Sequence, residues 1–200
     1  MPVPRTKELE QQLKETEQQL RLFQRISRMM ARDLSLQDVL KGIVSLLAEH
    51  MACDSCLLYL LDQAELVLCA ANTPHQSTVG NVRLRLDEGL TGWVARERRL
   101  LAISRKAFED SRFKFFQDLP EDTYQAFLSA PVVARNRVVG VINVQHRDPH
   151  SHSGGEIELL STIGEQVGSL LVLARMDPTV IEQANHAALV LAANSAGSQK

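Results

Sequence analysis

The sequence predicts an α+β fold in which a central antiparallel β-sheet carries long helices on one face. Three observations lead there. The run AFLSAPVVARNRVVGVINVQ, residues 126–145, sets two β-rich segments, 127–133 and 138–144, around the polar turn Ala134-Arg135-Asn136-Arg137, which is the pattern of a hairpin. Both segments are apolar at nearly every position, as in mid-sheet strands, whereas an edge strand would alternate. Helical periodicity marks both ends of the chain, and residues 104–125 hold most of the phenylalanine, at Phe108, Phe113, Phe115 and Phe116. Strands apolar on both faces need cover on both, so the helices supply one side and the aromatic connector the other.

In chain order, Leu9, Leu13, Thr16, Leu20, Phe23, Ser27 and Met30 recur at spacings of four and three among Gln, Glu, Lys and Arg, which makes residues 1–33 a coiled-coil-like helix. Thr16 and Ser27 interrupt that seam, and the competing arrangement is an amphipathic helix lying on its own domain. Ser35 followed by Asp38 has the form of a capping box. The helix it opens presents Leu36, Val39, Leu40, Ile43, Val44, Leu46 and Leu47 to the sheet. Residues 56–61 and 66–71 are expected strands joined by the polar connection Asp62-Gln63-Ala64-Glu65, which would set Leu58 opposite Cys69. Residues 72–80, with Pro74, form a loop, and 82–86 alternate as a half-exposed strand. The glycines of Asp87-Glu88-Gly89-Leu90-Thr91-Gly92-Trp93-Val94 allow tight turns before a helix that begins near Thr91. Residues 100–103 are a short strand. A polar loop, 146–155, leads to a second capping box, Ser153 with Glu156. The helix that follows runs through Ile157, Leu160, Ile163, Val167, Leu170, Leu171 and Ala174 to about Met176, where Asp177-Pro178 stops it. Residues 180–193 suit a further helix, and 194–200 are expected to be disordered.

With 200 residues, 44% hydrophobic and 23% charged, the chain suits one globular domain with helical extensions. A net charge of -2 and a pI near 6.3 provide no general attraction for nucleic acid or an anionic membrane. No unbroken apolar run reaches the roughly 20 residues that span a bilayer, and the N-terminus lacks an apolar signal core. Three cysteines are an odd number for a disulfide framework, so a cytoplasmic location is expected.

The order of GLTGWVA (89–95), the DSRF run (110–113), FLSAPVV and VVGVINVQ (127–145), flanked by helices, resembles a GAF domain, the small-ligand sensor fold related to PAS domains. The resemblance covers residues 34–176 and leaves 177–200 as a tail, partly helical and then disordered. The DxRFKFF and FLxxPVV runs are similar to those of the GAF domain that precedes the phosphotransferase modules in nitrogen-type phosphoenolpyruvate phosphotransferase first enzymes. The phosphotransferase modules themselves are not in this sequence. The resemblance implies a GAF/PAS-like sheet with a pocket on the face away from the long helices, roofed by residues 89–125.

The chemistry-bearing residues divide into several groups. Cys53 and Cys56 form CDSC, half of a redox or zinc motif without its second half, and Cys56 opens a strand as a small buried hydrophobe would. Residues 87–125 lack cysteine, which argues against the reactive thiols that GAF-based free-methionine sulfoxide reductases carry in their pocket wall, and against a covalent bilin. In cyclic-nucleotide GAF domains an Asn-Lys pair on the last strand meets Asp-Glu at the next helix. Here Val144 follows Asn143, and Gly155-Glu156 stands at the helix. His146, His150 and His152 share one loop, with Asp148 nearby but no carboxylate or cysteine at tetrahedral spacing, so a solvated loop rather than a metal site is expected. No nucleophile elbow, phosphate-binding glycine loop or HExxH helix is found.

The expected ligand site is Trp93, Ser104, Arg105, Phe108, Arg112, Phe113, Phe116, Tyr124, Ser129 and Asn143. Aromatics would line the cavity and the two arginines would bind a carboxylate or phosphate. The resulting expectation is a non-enzymatic cytoplasmic signalling module without cofactor or metal. It would form a homodimer through its N- and C-terminal helices, take a small molecule between sheet and lid, act on a downstream signalling protein, and bind neither nucleic acid nor membrane. The alternative is a structural or protein-interaction domain whose cavity is filled by its own side chains.

Overall fold

Two hairpins that meet along their first and last strands build one antiparallel sheet. The computed structural model describes residues 4–72, 79–114 and 124–174. Within them the chain runs α1 (Pro4–Met30), α2 (Leu36–His50), β1 (Ser55–Asp62), β2 (Glu65–Ala71), β3 (Arg83–Arg85), α3 (Gly89–Glu97), β4 (Leu101–Ile103), a 3-10 turn (Ala107–Glu109), β5 (Ala126–Ala134), β6 (Arg137–His146) and α4 (Gly154–Ala174). The strand order is β3-β2-β1-β6-β5-β4. The expected loop at 73–78, the helix at 180–193 and the terminal tail lie outside the described residues.

The apolar hairpin occupies the inner strands β5 and β6, as its sequence requires. Its turn is tighter than expected. Ala134 pairs with Arg137, and Arg135 and Asn136 alone make the reversal, with φ of 47° and 61°, the backbone of a two-residue turn whose twist matches its strands. The first hairpin tightens in the same way, with Asp62 opposite Glu65 and only Gln63 and Ala64 between them. A register shift after Leu58 then changes the predicted pairing. Leu58 faces Ala70, Tyr59 faces Leu68, and Cys69 becomes the extra residue of a bulge.

Each strand alternates between two apolar layers. Cys56, Leu58, Leu128, Ala130, Val132, Ile142 and Val144 point to the side covered by α2 and α4. Leu57, Tyr59, Leu66, Leu68 and Val141 point to the side covered by α3. Burying a side chain such as Leu58 or Ile142 stabilises by roughly 1.5–3 kcal/mol, so both layers contribute. Ser35 caps α2 as expected, its Oγ accepting from the Asp38 N–H at 3.1 Å, and Val39, Leu40, Ile43, Val44 and Leu47 are buried.

Helix α4 lies almost in contact with the β5 backbone. A Cβ at Gly164 would stand 2.9 Å from the Pro131 carbonyl oxygen, and one at Gly168 would overlap the Val133 carbonyl, so both positions require glycine for close approach. By length and composition this 21-residue helix is apolar enough to cross a membrane, although its apolar residues are interrupted by Glu156, Glu158, Glu165 and Gln166. Its apolarity has a local cause, since Leu159, Leu160, Ile163, Val167 and Leu171 are buried in the protein core.

Helix α1 divides the two arrangements proposed for it. Leu22 and Ile26, which lie off the predicted seam, are buried in the core shared with α2, so the C-terminal half rests on its own domain. The seam residues Leu9, Leu13 and Leu20 are 59%, 61% and 55% exposed.

Candidate functional site

On the face opposite α2 and α4, the inner strands carry a chain of buried polar groups. Ser129 and Asn143 are a cross-strand pair at the middle of β5 and β6. The Ser129 Oγ donates to the Asn143 Oδ1 at 2.6 Å, and the Asn143 Nδ2 donates to the Thr91 Oγ1 at 2.8 Å. Ser129 and Asn143 are essentially inaccessible and Thr91 is buried. Their polarity interrupts an otherwise apolar layer, and each group is tolerable there because its neighbour satisfies it.

Thr91 sits in the first turn of α3, so this chain fixes one end of that helix on the sheet. The other end is fixed by Arg98. Its left-handed φ of 57° ends α3, and its Nη2 donates to the Asn136 carbonyl in the β5–β6 turn and, at 3.1 Å, to the Asn136 Oδ1. Close approach is again enforced by a glycine. A Cβ on Gly92 would stand 2.6 Å from the Arg85 carbonyl oxygen.

The connector after β4 reaches back over α3. Asp110 Oδ1 accepts from the Arg112 backbone N–H at 2.9 Å and from its Nε at 2.8 Å, while Oδ2 accepts from Nη2 at 2.7 Å. The guanidinium beside Asp110 holds its carboxyl below the usual range. The Arg112 Cζ lies 4.5 Å from the centre of the Trp93 ring, a cation–π contact. Lys114 pairs with Glu88 at 3.0 Å. Phe113 packs with Leu90, Ala107 and Phe127.

The expected site residues therefore separate. Trp93, Arg112 and Phe113 are brought together with α3, Ser129 and Asn143 lie beneath that helix, Tyr124 is buried and Phe108 is half-buried. Ser104 and Arg105 are exposed at the end of β4, and the Ser104 carbonyl accepts from the His150 N–H at 2.9 Å, on the side of the histidine loop. Phe116 lies outside the described residues. Thr91 was absent from the expected site, and Arg112 is already engaged by Asp110 and Trp93.

The cysteines are free. Burial pushes Cys53 up to about 12 and raises Cys56 and Cys69, so all three are protonated and weakly nucleophilic at neutral pH. The histidine loop is in part the solvated loop expected, with Arg147, Asp148, Pro149, Ser151 and Ser153 exposed and His150 and His152 half-buried. His146 belongs to β6 and is buried, and burial lowers its pKa and brings His152 down to about 4.

A curled antiparallel sheet with helices on one side and a short helix and connector on the other defines the class of small α+β regulatory domains. The chain belongs to the GAF family, whose model matches residues 35–171. It is similar to the GAF domain of an Acinetobacter phosphoenolpyruvate-protein phosphotransferase, with 31% identity and a TM-score of 0.70 over 78% of this chain and 94% of that one. It is also similar to the GAF domain of a phosphoenolpyruvate-protein phosphotransferase from Coxiella burnetii, with 25% identity and a TM-score of 0.74 over 80% and 95%. The free methionine-R-sulfoxide reductase of Neisseria meningitidis shares the fold at 15% identity, with a TM-score of 0.63 over 75% and 86%. No curated protein matches. GAF domains generally serve as regulatory or sensory modules in signalling.

Proposed function

We propose that this chain is a non-catalytic sensory module that binds a small polar molecule between the sheet and the segment roofing it, and relays occupancy to a downstream protein through helices paired in a cytoplasmic homodimer. The observation that carries this reading is the Ser129–Asn143–Thr91 chain. The Thr91 hydroxyl and the Asn143 amide each have hydrogen-bonding capacity beyond the bonds they make within the chain, and a polar ligand atom would use it. A carboxylate or carbonyl oxygen fits that need. Ligand binding would then favour one placement of α3 and its roof, and β6 would carry the difference to α4.

The exposed Leu9, Leu13 and Leu20 support pairing of α1 across a dimer. The raised thiol pKa values support a non-enzymatic role. A second reading, an interaction domain whose interior is filled by its own side chains, is favoured by one observation, the capture of Arg112 by Asp110 and Trp93. Native mass spectrometry of the untagged chain tests the proposal. A dimer mass that falls to monomer in Leu9→Glu/Leu13→Glu/Leu20→Glu, with a small molecule released on denaturation, supports it. A ligand-free monomer at micromolar concentration contradicts it.

A further inference from the structure

Three imidazoles converge where β6 hands over to α4. His146 is the last residue of β6 and is 6% exposed, and His150 and His152 are half-buried on the connecting loop. That loop is tied at both flanks. Asp54 Oδ2 accepts from the Arg147 N–H at 2.8 Å, and the Ser104 carbonyl holds the His150 N–H. The His146 ring stacks on His150 with centroids 4.1 Å apart and planes 13° from parallel. His152 sits 4.9 Å from His150 and 5.7 Å from His146. One nitrogen from each ring lies within 4.8 Å of the others.

Packing alone does not account for this corner. The His146 Nε2 and both ring nitrogens of His152 are buried without a partner among the described residues, an arrangement that destabilises a fold unless something else satisfies them. His150 has a partner of a particular kind. Its Nε2 lies 2.8 Å from Glu156 Oε1, which places the ring proton on Nε2 and leaves the Nδ1 lone pair available. Glu156 is itself fixed, its Oε2 accepting from the Ser153 N–H at 2.7 Å and its own N–H donating to Ser153 Oγ at 3.2 Å. A carboxylate that orients a histidine from behind is the recurrent support of a metal-bound imidazole.

We propose that His146, His150 and His152 form a three-histidine site for a divalent late transition-metal ion of the zinc class, with Glu156 orienting His150 and a fourth position open to water or an added ligand. Imidazole nitrogens are the preferred donors for such ions, and three of them with one open position is a common zinc arrangement. Nitrogens bound to one zinc at about 2.0–2.1 Å stand roughly 3.3 Å apart. Metal uptake therefore draws the rings inward and turns His150 out of its stack on His146. The bound ion would fasten the end of β6 to the first turn of α4.

The test uses the untagged 200-residue chain, freed of metal by chelator, titrated with zinc by calorimetry and with cobalt(II) by visible absorption. The expected result is one ion per chain and a cobalt spectrum without a thiolate charge-transfer band. His150→Ala/His152→Ala, shown to be folded by circular dichroism, should weaken zinc binding by at least about tenfold. His146→Gln is a second variant with the same expected loss and retains a polar group in the buried position. No zinc uptake by the wild-type chain, a thiolate band, or unchanged affinity in the folded double variant would overturn the proposal.

Discussion

The Asn143 Nδ2 donates to the Thr91 Oγ1 at 2.8 Å across 52 residues of sequence, one hydrogen bond joining the middle of the sheet to the first turn of α3. Asn143→Ala breaks it and also leaves Ser129 without its acceptor. The expected loss is about 1–3 kcal/mol of unfolding free energy, measured by urea denaturation, because buried polar partners are left unsatisfied. Thr91→Val should couple to Asn143→Ala by about 0.5–3 kcal/mol in a double-mutant cycle. Strict additivity would show that the bond contributes nothing to how α3 is held.

Glycine at position 168 is a packing requirement. Gly168→Ala drives a methyl group into the Val133 carbonyl and is expected to destabilise by about 1–3 kcal/mol. Gly154→Ala, where nothing lies within 4 Å, is the control and should leave the melting temperature unchanged or slightly raised. Equal effects at the two sites would contradict the close approach of α4 to β5.

Trp93 is the only tryptophan, so its emission reports on the roof. Asp110 has a lowered pKa in the folded protein because Arg112 hydrogen-bonds to its charged form. A group depressed in this way contributes stability above its ordinary value of 3.8, and that contribution is lost as pH falls further, through the folded-state pKa. Emission should therefore hold steady down to about pH 4 and shift below it as the guanidinium leaves the ring. Asp110→Asn should show the shifted emission already at neutral pH. Both groups are partly exposed, so the effect on global stability is expected to be small.

The thiols should be slow to react. With Cys53 raised to about 12 and Cys56 and Cys69 also raised, alkylation at pH 8 is expected to be slow in the native chain and complete for all three in urea. Rapid native labelling of Cys53 would reopen a redox role for CDSC.

Much of this fold is legible in the residues. The run 126–145 announces inner strands because both faces are apolar, and Ser35 and Ser153 announce their helices through side chains that satisfy free amides. Register was less accessible. The bulge at Cys69 follows from a pairing choice between Leu58 and Tyr59 that no local pattern marks. The burial of Leu22 and Ile26 in place of the seam depends on where α2 lies, which is tertiary information. Within the site, Trp93, Arg112, Ser129 and Asn143 were readable as polar and aromatic residues in strand and connector. Thr91 is hard to read because it stands inside a glycine-rich helix start, where its hydroxyl in an apolar turn is the one local signal. The histidine loop is polar and mostly exposed, as its sequence implies, whereas the burial of His146 and half-burial of His150 and His152 go with contacts to Asp54, Ser104 and Glu156 made across the fold.

The most direct test of the sensory reading is a thermal-shift titration of the wild-type chain and Asn143→Ala against amino acids, keto acids, nucleotides and tetrapyrroles. The account predicts that one class raises the wild-type melting temperature in a saturable manner, and that Asn143→Ala, compared with its own ligand-free melt, loses that response. No stabilisation of the wild-type chain by any class, or an equal response in the variant, would contradict a ligand held over the Ser129–Asn143–Thr91 chain.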